Sequence, residues 1–154
     1  ALAVDVHGLR EAVDRVAIME RILEFESDAT AFGEKWHPEV RTISTEIMRA
    51  REIVDAVTYS RPDLETIAAL TNSLRVDGHR ADLVILRAAR AHAALRGRTA
   101  INDRDILLAA QLALPHRIRK GPFDSAGIEF EELENRLQEA RSEVQAEIIS
   151  SSSS

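Results

Sequence analysis

The apolar positions of this 154-residue chain fall mostly at helical spacing. Leu9, Val13, Val16, Ile22 or Leu23, and Phe25 hold one face from Leu9 to about Glu26. The stretch "SDATAFGEKWHPE" reads as a break with short helical character, with Phe32 and Trp36 plugging a core gap and Pro38 in the first turn of the next helix. Val40, Ile43, Ile47, Ala50, Val54 and Val57 then alternate steps of three and four, the narrow seam of a long helix over residues 38–60. Ser60 or Arg61 ahead of Pro62 starts another helix, with Leu64, Ile67, Ala68 and Leu74 facing inward and Gly78 as its left-handed terminal residue.

A helix from about His79 to Leu95 follows, with Ala81, Val84, Ile85, Ala88 and Leu95 on its apolar side. After the turn "RGRT", Asn102 and Asp105 read as a cap with a carboxylate in the first turn. Ile106, Ala109, Ala110, Ala113 and Leu114 carry that helix to Pro115. Residues 116–127 are basic, then loop-like. A last helix starts near Glu129, with the stripe Phe130, Leu133, Leu137, Ala140, Val144 and Ile148 and an i,i+4 pair of Glu132 with Arg136. Ordinary packing is the first reading of this stripe, ahead of an intermolecular coiled coil. The terminal serines read as a disordered tail over 150–154.

Only the start departs from helical spacing. In "ALAVDVHG", Leu2, Val4 and Val6 alternate with Ala1, Ala3 and Asp5, a strand signal. No second convincing strand follows, and one strand cannot satisfy its own backbone in a sheet. The expectation is therefore a mainly α chain preceded by one orphan strand from a larger α/β protein.

Composition narrows the function classes. The net charge of −6 argues against a nucleic-acid binder, which carries a basic footprint. No run is long and apolar enough for a membrane span, and no signal pattern opens the chain, so no membrane partner is expected and the reading is a cytoplasmic protein. With no cysteine there is no thiolate metal site or Cys nucleophile. The five histidines show neither HExxH nor a pair at helical spacing, so no metal site is assigned. GxxxxGK[ST], GxGxxG and GxSxG are all missing, so this chain alone is not expected to be an enzyme.

The candidate chemistry lies in "VDGHRADLVILRAARAHAALRGR". Arg80 and Arg87 fall within about 20° of each other on the helix surface. Pattern alone makes them, with Arg90, a solvated basic face. Arg80 has a sharper reading. It sits in the first turn, where free N–H groups and the positive dipole end make a cation locally unfavourable and an anion welcome. A phosphate oxygen would satisfy the guanidinium and the helix end together. The cluster His116, Arg117, Arg119 and Lys120 complements a helix C-terminus, or alternatively meets a neighbouring subunit or nucleotide. His92 reads as a packed core edge.

Taken together, "VDGHRADLVILRAARAHAALRGRTAINDRDILLAAQLALPHRIRKGPF" closely resembles the C-terminal helical lid of the AAA+ ATPase subunit of magnesium chelatase and the cobaltochelatases. "ALAVDVHGLREAVDRVAIMERILEFESDATAF" resembles that family's last core strand and the segment leading to the lid. The resemblance covers roughly residues 1–124 and departs from the family pattern at His79 and Ala81, where Leu and Gly are usual. It implies that Arg80 is the sensor-2 arginine touching the ATP γ-phosphate, presented by a loop of Val76, Asp77, Gly78 and His79. Arg87, His116, Arg117 and Arg119 become possible subunit or nucleotide contacts. It implies a motor subunit that uses ATP with Mg to drive Mg or Co insertion into a tetrapyrrole. Its partners would be the AAA+ core of the same chain, neighbouring ring subunits and other chelatase subunits. The alternative from another class is a non-enzymatic, histone-fold-like interaction module, suggested by the helix rhythm around "GRTAINDRDI".

Overall fold

A computed structural model describes residues 2–4, 6, 8, 11–76, 78–114 and 130–152. Six helices account for most of them: α1 (Ala12–Ser27), α2 (Ala29–Ile53), α3 (Arg61–Ser73), α4 (Arg80–Leu95), α5 (Asp103–Ala113) and α6 (Phe130–Ser152). A short 3-10 turn, Val54–Ala56, extends α2. The chain divides into two compact units, one of Asp5–Met48 and one of Ala1–Val4 with Arg49–Ser154. No helix among the described residues is long and apolar enough to cross a membrane.

The smaller unit is built around α1 and the first part of α2. The break between them is confined to Asp28, whose carboxylate accepts from the N–H groups of Thr30 and Ala31, both at 3.0 Å. The rest of "SDATAFGEKWHPE" is continuous helix, so Pro38 lies inside α2 and not in its first turn. The proline forfeits one bond to the Glu34 carbonyl, and the helix resumes on either side of it. Phe32 stacks edge-on to Phe25 at 5.7 Å and tilted to Trp36 at 6.0 Å, with Arg21 over the indole at 5.3 Å. Val40, Ile43 and Ile47 of the expected seam stay exposed, whereas Ala50 and Val57 are buried.

The larger unit is a helical bundle with one core. Capping signals set its helix starts. Ser60 and Asp63 form a reciprocal capping box on α3, with Pro62 in the first turn. Asn102 and Asp105 do the same for α5. α4 packs on α5, and Ala81, Ala89 and Ala93 of α4 and Ala109, Ala110 and Ala113 of α5 are all almost fully buried. Side chains this small let two helix axes approach closely. Ile85, Ile106 and Leu114 fill the larger gaps. Leu95, expected inward, is half exposed. On α3 the buried face is Thr66, Ile67, Leu70 and Thr71, while Leu64 and Ala68 turn outward. The threonine hydroxyls are satisfied by donating to the carbonyls of Pro62 and Ile67, which makes their burial inexpensive.

α6 closes the bundle by packing on α3 and α5 through Leu133, Leu137, Ala140 and Val144. Its stripe is core packing, as expected, although Phe130 and Ile148 at its ends are exposed. Arg141 fastens it at two helix starts, donating to Asp63 at 2.8 Å and, through Nε, to Asp103 at 2.9 Å. Arg136 pairs with Glu132 at 3.0 Å and reaches the Ser73 carbonyl. The helix continues to Ser152, through residues expected to be a disordered tail.

The described part of residues 1–8 forms no strand. The Ala3 N–H donates to the Leu112 carbonyl at 2.8 Å, and Val4 and Val6 are exposed. Alternation alone does not make a strand without a neighbour to pair with. The described residues hold one isolated bridge, Thr58 with Ala100, parallel.

One buried charge ties this unit together. Asp105 is 0% exposed. Its carboxylate accepts from the Asn102 N–H at 2.8 Å, from Arg98 at 2.7 and 2.5 Å, and pairs with His92 Nδ1 at 2.5 Å. Burial works against the charge, but the Arg98 guanidinium, the Asn102 N–H and the His92 ring outweigh it and hold the carboxyl below the usual carboxylate range. The three groups come from the end of α4, the turn and the start of α5, so the contact fixes the α4–α5 corner.

Two outcomes follow. Asp105→Asn is expected to cost about 3 kcal/mol at pH 7, the lower end for a broken buried pair because Arg98 remains partly exposed. A depressed folded-state pKa contributes stability above the unfolded value of about 3.9 and loses it as pH falls further. The gap in melting temperature between the two proteins should therefore close below about pH 4, as read by calorimetry across pH. Arg141→Met should cost about 2 kcal/mol, seen as faster amide exchange in α6 with α4 and α5 unchanged.

Candidate phosphate-sensing helix terminus

The approach to α4 begins at the end of α3. The Val76 N–H donates to the Thr71 carbonyl at 3.1 Å and the Arg75 N–H to the Asn72 carbonyl at 3.0 Å. This is the paired closure of a Schellman motif. Its left-handed residue is Arg75, with φ 52°, and not the expected Gly78. Gly78 supplies a second positive φ, 85°, immediately before α4. A side chain there would be strained, since L-residues rarely take that conformation. Val76 is half-buried against the core, which anchors the loop on one side.

His79 occupies the N-cap position in a helical conformation and its side chain caps nothing. The first-turn N–H groups of α4 therefore have no side-chain acceptor from the cap residue. Arg80 is the first residue of the helix and is exposed. Among the described residues its guanidinium has no hydrogen-bond or ion-pair partner. Ala81 behind it is fully buried, so the backbone carrying Arg80 is fixed by core packing. The site thus combines an uncapped helix start, an exposed guanidinium and a firm backbone. An anion with several oxygens suits it.

The other candidates separate. Arg87 is exposed on the same helix and, among the described residues, unpaired. Asp77, His116, Arg117 and Arg119 lie outside the described residues. Arg90 does not belong to a solvated face. Its Nε donates to the Val57 carbonyl at 3.1 Å, and its Nη2 to the carbonyls of Val54 and Asp55, both at 3.0 Å. It ties α4 to the 3-10 turn that ends α2. Helical-wheel reasoning missed this because the acceptors are backbone groups more than thirty residues away, which leave no trace in side-chain pattern. His92 is indeed at the core edge, held by Asp105.

Comparison with known proteins places the bundle in a family. The AAA lid domain family matches residues 64–140, from α3 into α6. A magnesium-chelatase subunit ChlI homolog of Methanocaldococcus jannaschii is 38% identical over 90% of this chain and 38% of its own length. The magnesium-chelatase 38 kDa subunit of Rhodobacter capsulatus is 39% identical over 82% of this chain and 36% of its own. An uncharacterized protein of Mycobacterium tuberculosis is 42% identical over 88% of this chain and 22% of its own. The chain thus spans between about a fifth and two fifths of the length of these relatives. A helical bundle of this order, matched from α3 into α6 and similar in sequence to magnesium-chelatase subunits, belongs to the AAA lid domain family.

Proposed function

We propose that this lid serves an AAA+ motor subunit that couples ATP hydrolysis to insertion of Mg or Co into a tetrapyrrole, with Arg80 as the phosphate sensor. The observation that carries the reading is Arg80 itself, an exposed guanidinium at an uncapped helix start with no partner among the described residues. The magnesium-chelatase names of the relatives support the substrate class. ATP with Mg would enter as substrate and supply the phosphoryl bond whose cleavage drives the motor. On the lid side, Arg80 would hold a terminal phosphate oxygen, with Val76, Gly78 and His79 setting where the guanidinium starts. The AAA+ core would lie in the same chain, with neighbouring subunits in a ring and other chelatase subunits as partners, in the cytoplasm.

A charge-assisted hydrogen bond contributes roughly 1.5–3 kcal/mol, which corresponds to about ten- to 150-fold in rate. Arg80→Ala in the full-length protein should lower steady-state ATP hydrolysis by about tenfold or more. Arg80→Lys should lose less, because it keeps the charge and loses the fork. Unchanged phosphate release by Arg80→Ala would remove the sensor role.

A further inference from the structure

We infer that Arg90 is a positioning residue that latches the phosphate-facing helix α4 to the base of the long helix α2, so that a response at Arg80 is carried to α2. The inference rests on the proposed sensor role of Arg80. One guanidinium serves three carbonyls, those of Val54, Asp55 and Val57. They lie at the end of α2 and its 3-10 extension, where carbonyls run short of helical partners; the Val54 carbonyl also accepts from the Val57 N–H at 3.3 Å. The same end is the negative pole of the helix, so a cation there is favoured twice, by hydrogen bonding and by the dipole. The cation comes from another helix, which makes it a tie between elements and not a local cap.

The far side of the tie is equally fixed. Val57 is buried. Thr58 donates its N–H to the Thr99 carbonyl at 2.8 Å and accepts from the Ile101 N–H at 3.1 Å. The base of α2 is therefore clamped between Arg90 of α4 and the segment leading into the α5 capping box. The Tyr59 ring lies 6.0 Å from the guanidinium and shields that side. Arg80 and Arg90 are ten residues apart, about 15 Å along one helix, and about 80° apart around it. One end of the rod faces outward, and the middle grips α2. A hydrophobic side chain could fill the space of Arg90 but would remove its hydrogen bonds to all three carbonyls and leave the α2 end free to tilt.

The test uses the full-length protein with spin labels at Glu39 of α2 and Ala91 of α4, both exposed positions. The label distance is measured with ADP and with a non-hydrolysable ATP analogue. The unsubstituted protein should show a nucleotide-dependent shift. Arg90→Met should abolish the shift while analogue affinity stays within about twofold, and Arg90→Lys, a point charge that cannot bridge three carbonyls, should restore only part of it. A full shift in Arg90→Met, or no shift in the unsubstituted protein, overturns the latch. If Arg90→Met does not fold, Arg90→Lys decides: a full shift there overturns it, a reduced shift supports it. Arg80→Ala in the same labelled protein separates the two ideas, because a retained shift in that variant defeats the sensor reading whatever Arg90 does.

Discussion

The larger unit depends on a carboxylate that is out of water. Asp105 has no exposed surface, and its charge is tolerable only because four donors from three segments converge on it. That convergence sets where α4 ends, how tightly the turn at Gly97 closes and where α5 begins. Once the corner is set, the alanine faces of α4 and α5 come into register, and α6 has a fixed surface to cover.

From that corner the rest of α4 is determined. Its buried alanines hold it along its length, Arg90 grips the base of α2, and its first turn projects Arg80 outward. The three polar anchors do different work. Asp105 is paid for by satisfied hydrogen bonds and stabilises; Arg90 joins two elements through backbone carbonyls; Arg80 keeps its bonding capacity open among the described residues. A helix with its interior positions satisfied and one end unsatisfied is suited to report on a ligand without unfolding.

Much of this was legible in the sequence, and the failures share a cause. The Ser60–Pro62 and Asn102–Asp105 starts, the buried side of α5 and the stripe of α6 were all readable, because capping and amphipathic spacing are local signals. Pro38 and Gly78 misled, because each was given its commonest role, helix start and left-handed terminus. Asp28 and Arg75 took those roles instead. The alternation at the start was expected to pair within an α/β core that this chain does not contain, so its described residues stay unpaired as a strand. Near the candidate site, the place of Arg80 in the first turn of α4 was legible. Arg90 was not, because a side chain that caps a distant backbone leaves no periodic trace. The burial of Asp105 was also hidden, although Arg98 seven residues earlier was a clue to its partner.

The central claim is that the start of α4 receives a phosphate. The most direct measurement is an experimental structure of the full-length protein with a non-hydrolysable ATP analogue and Mg. The expected result is the Arg80 guanidinium within about 3 Å of a terminal phosphate oxygen. An Arg80 side chain left in solvent, or paired with a carboxylate while the phosphates are held elsewhere, would contradict it.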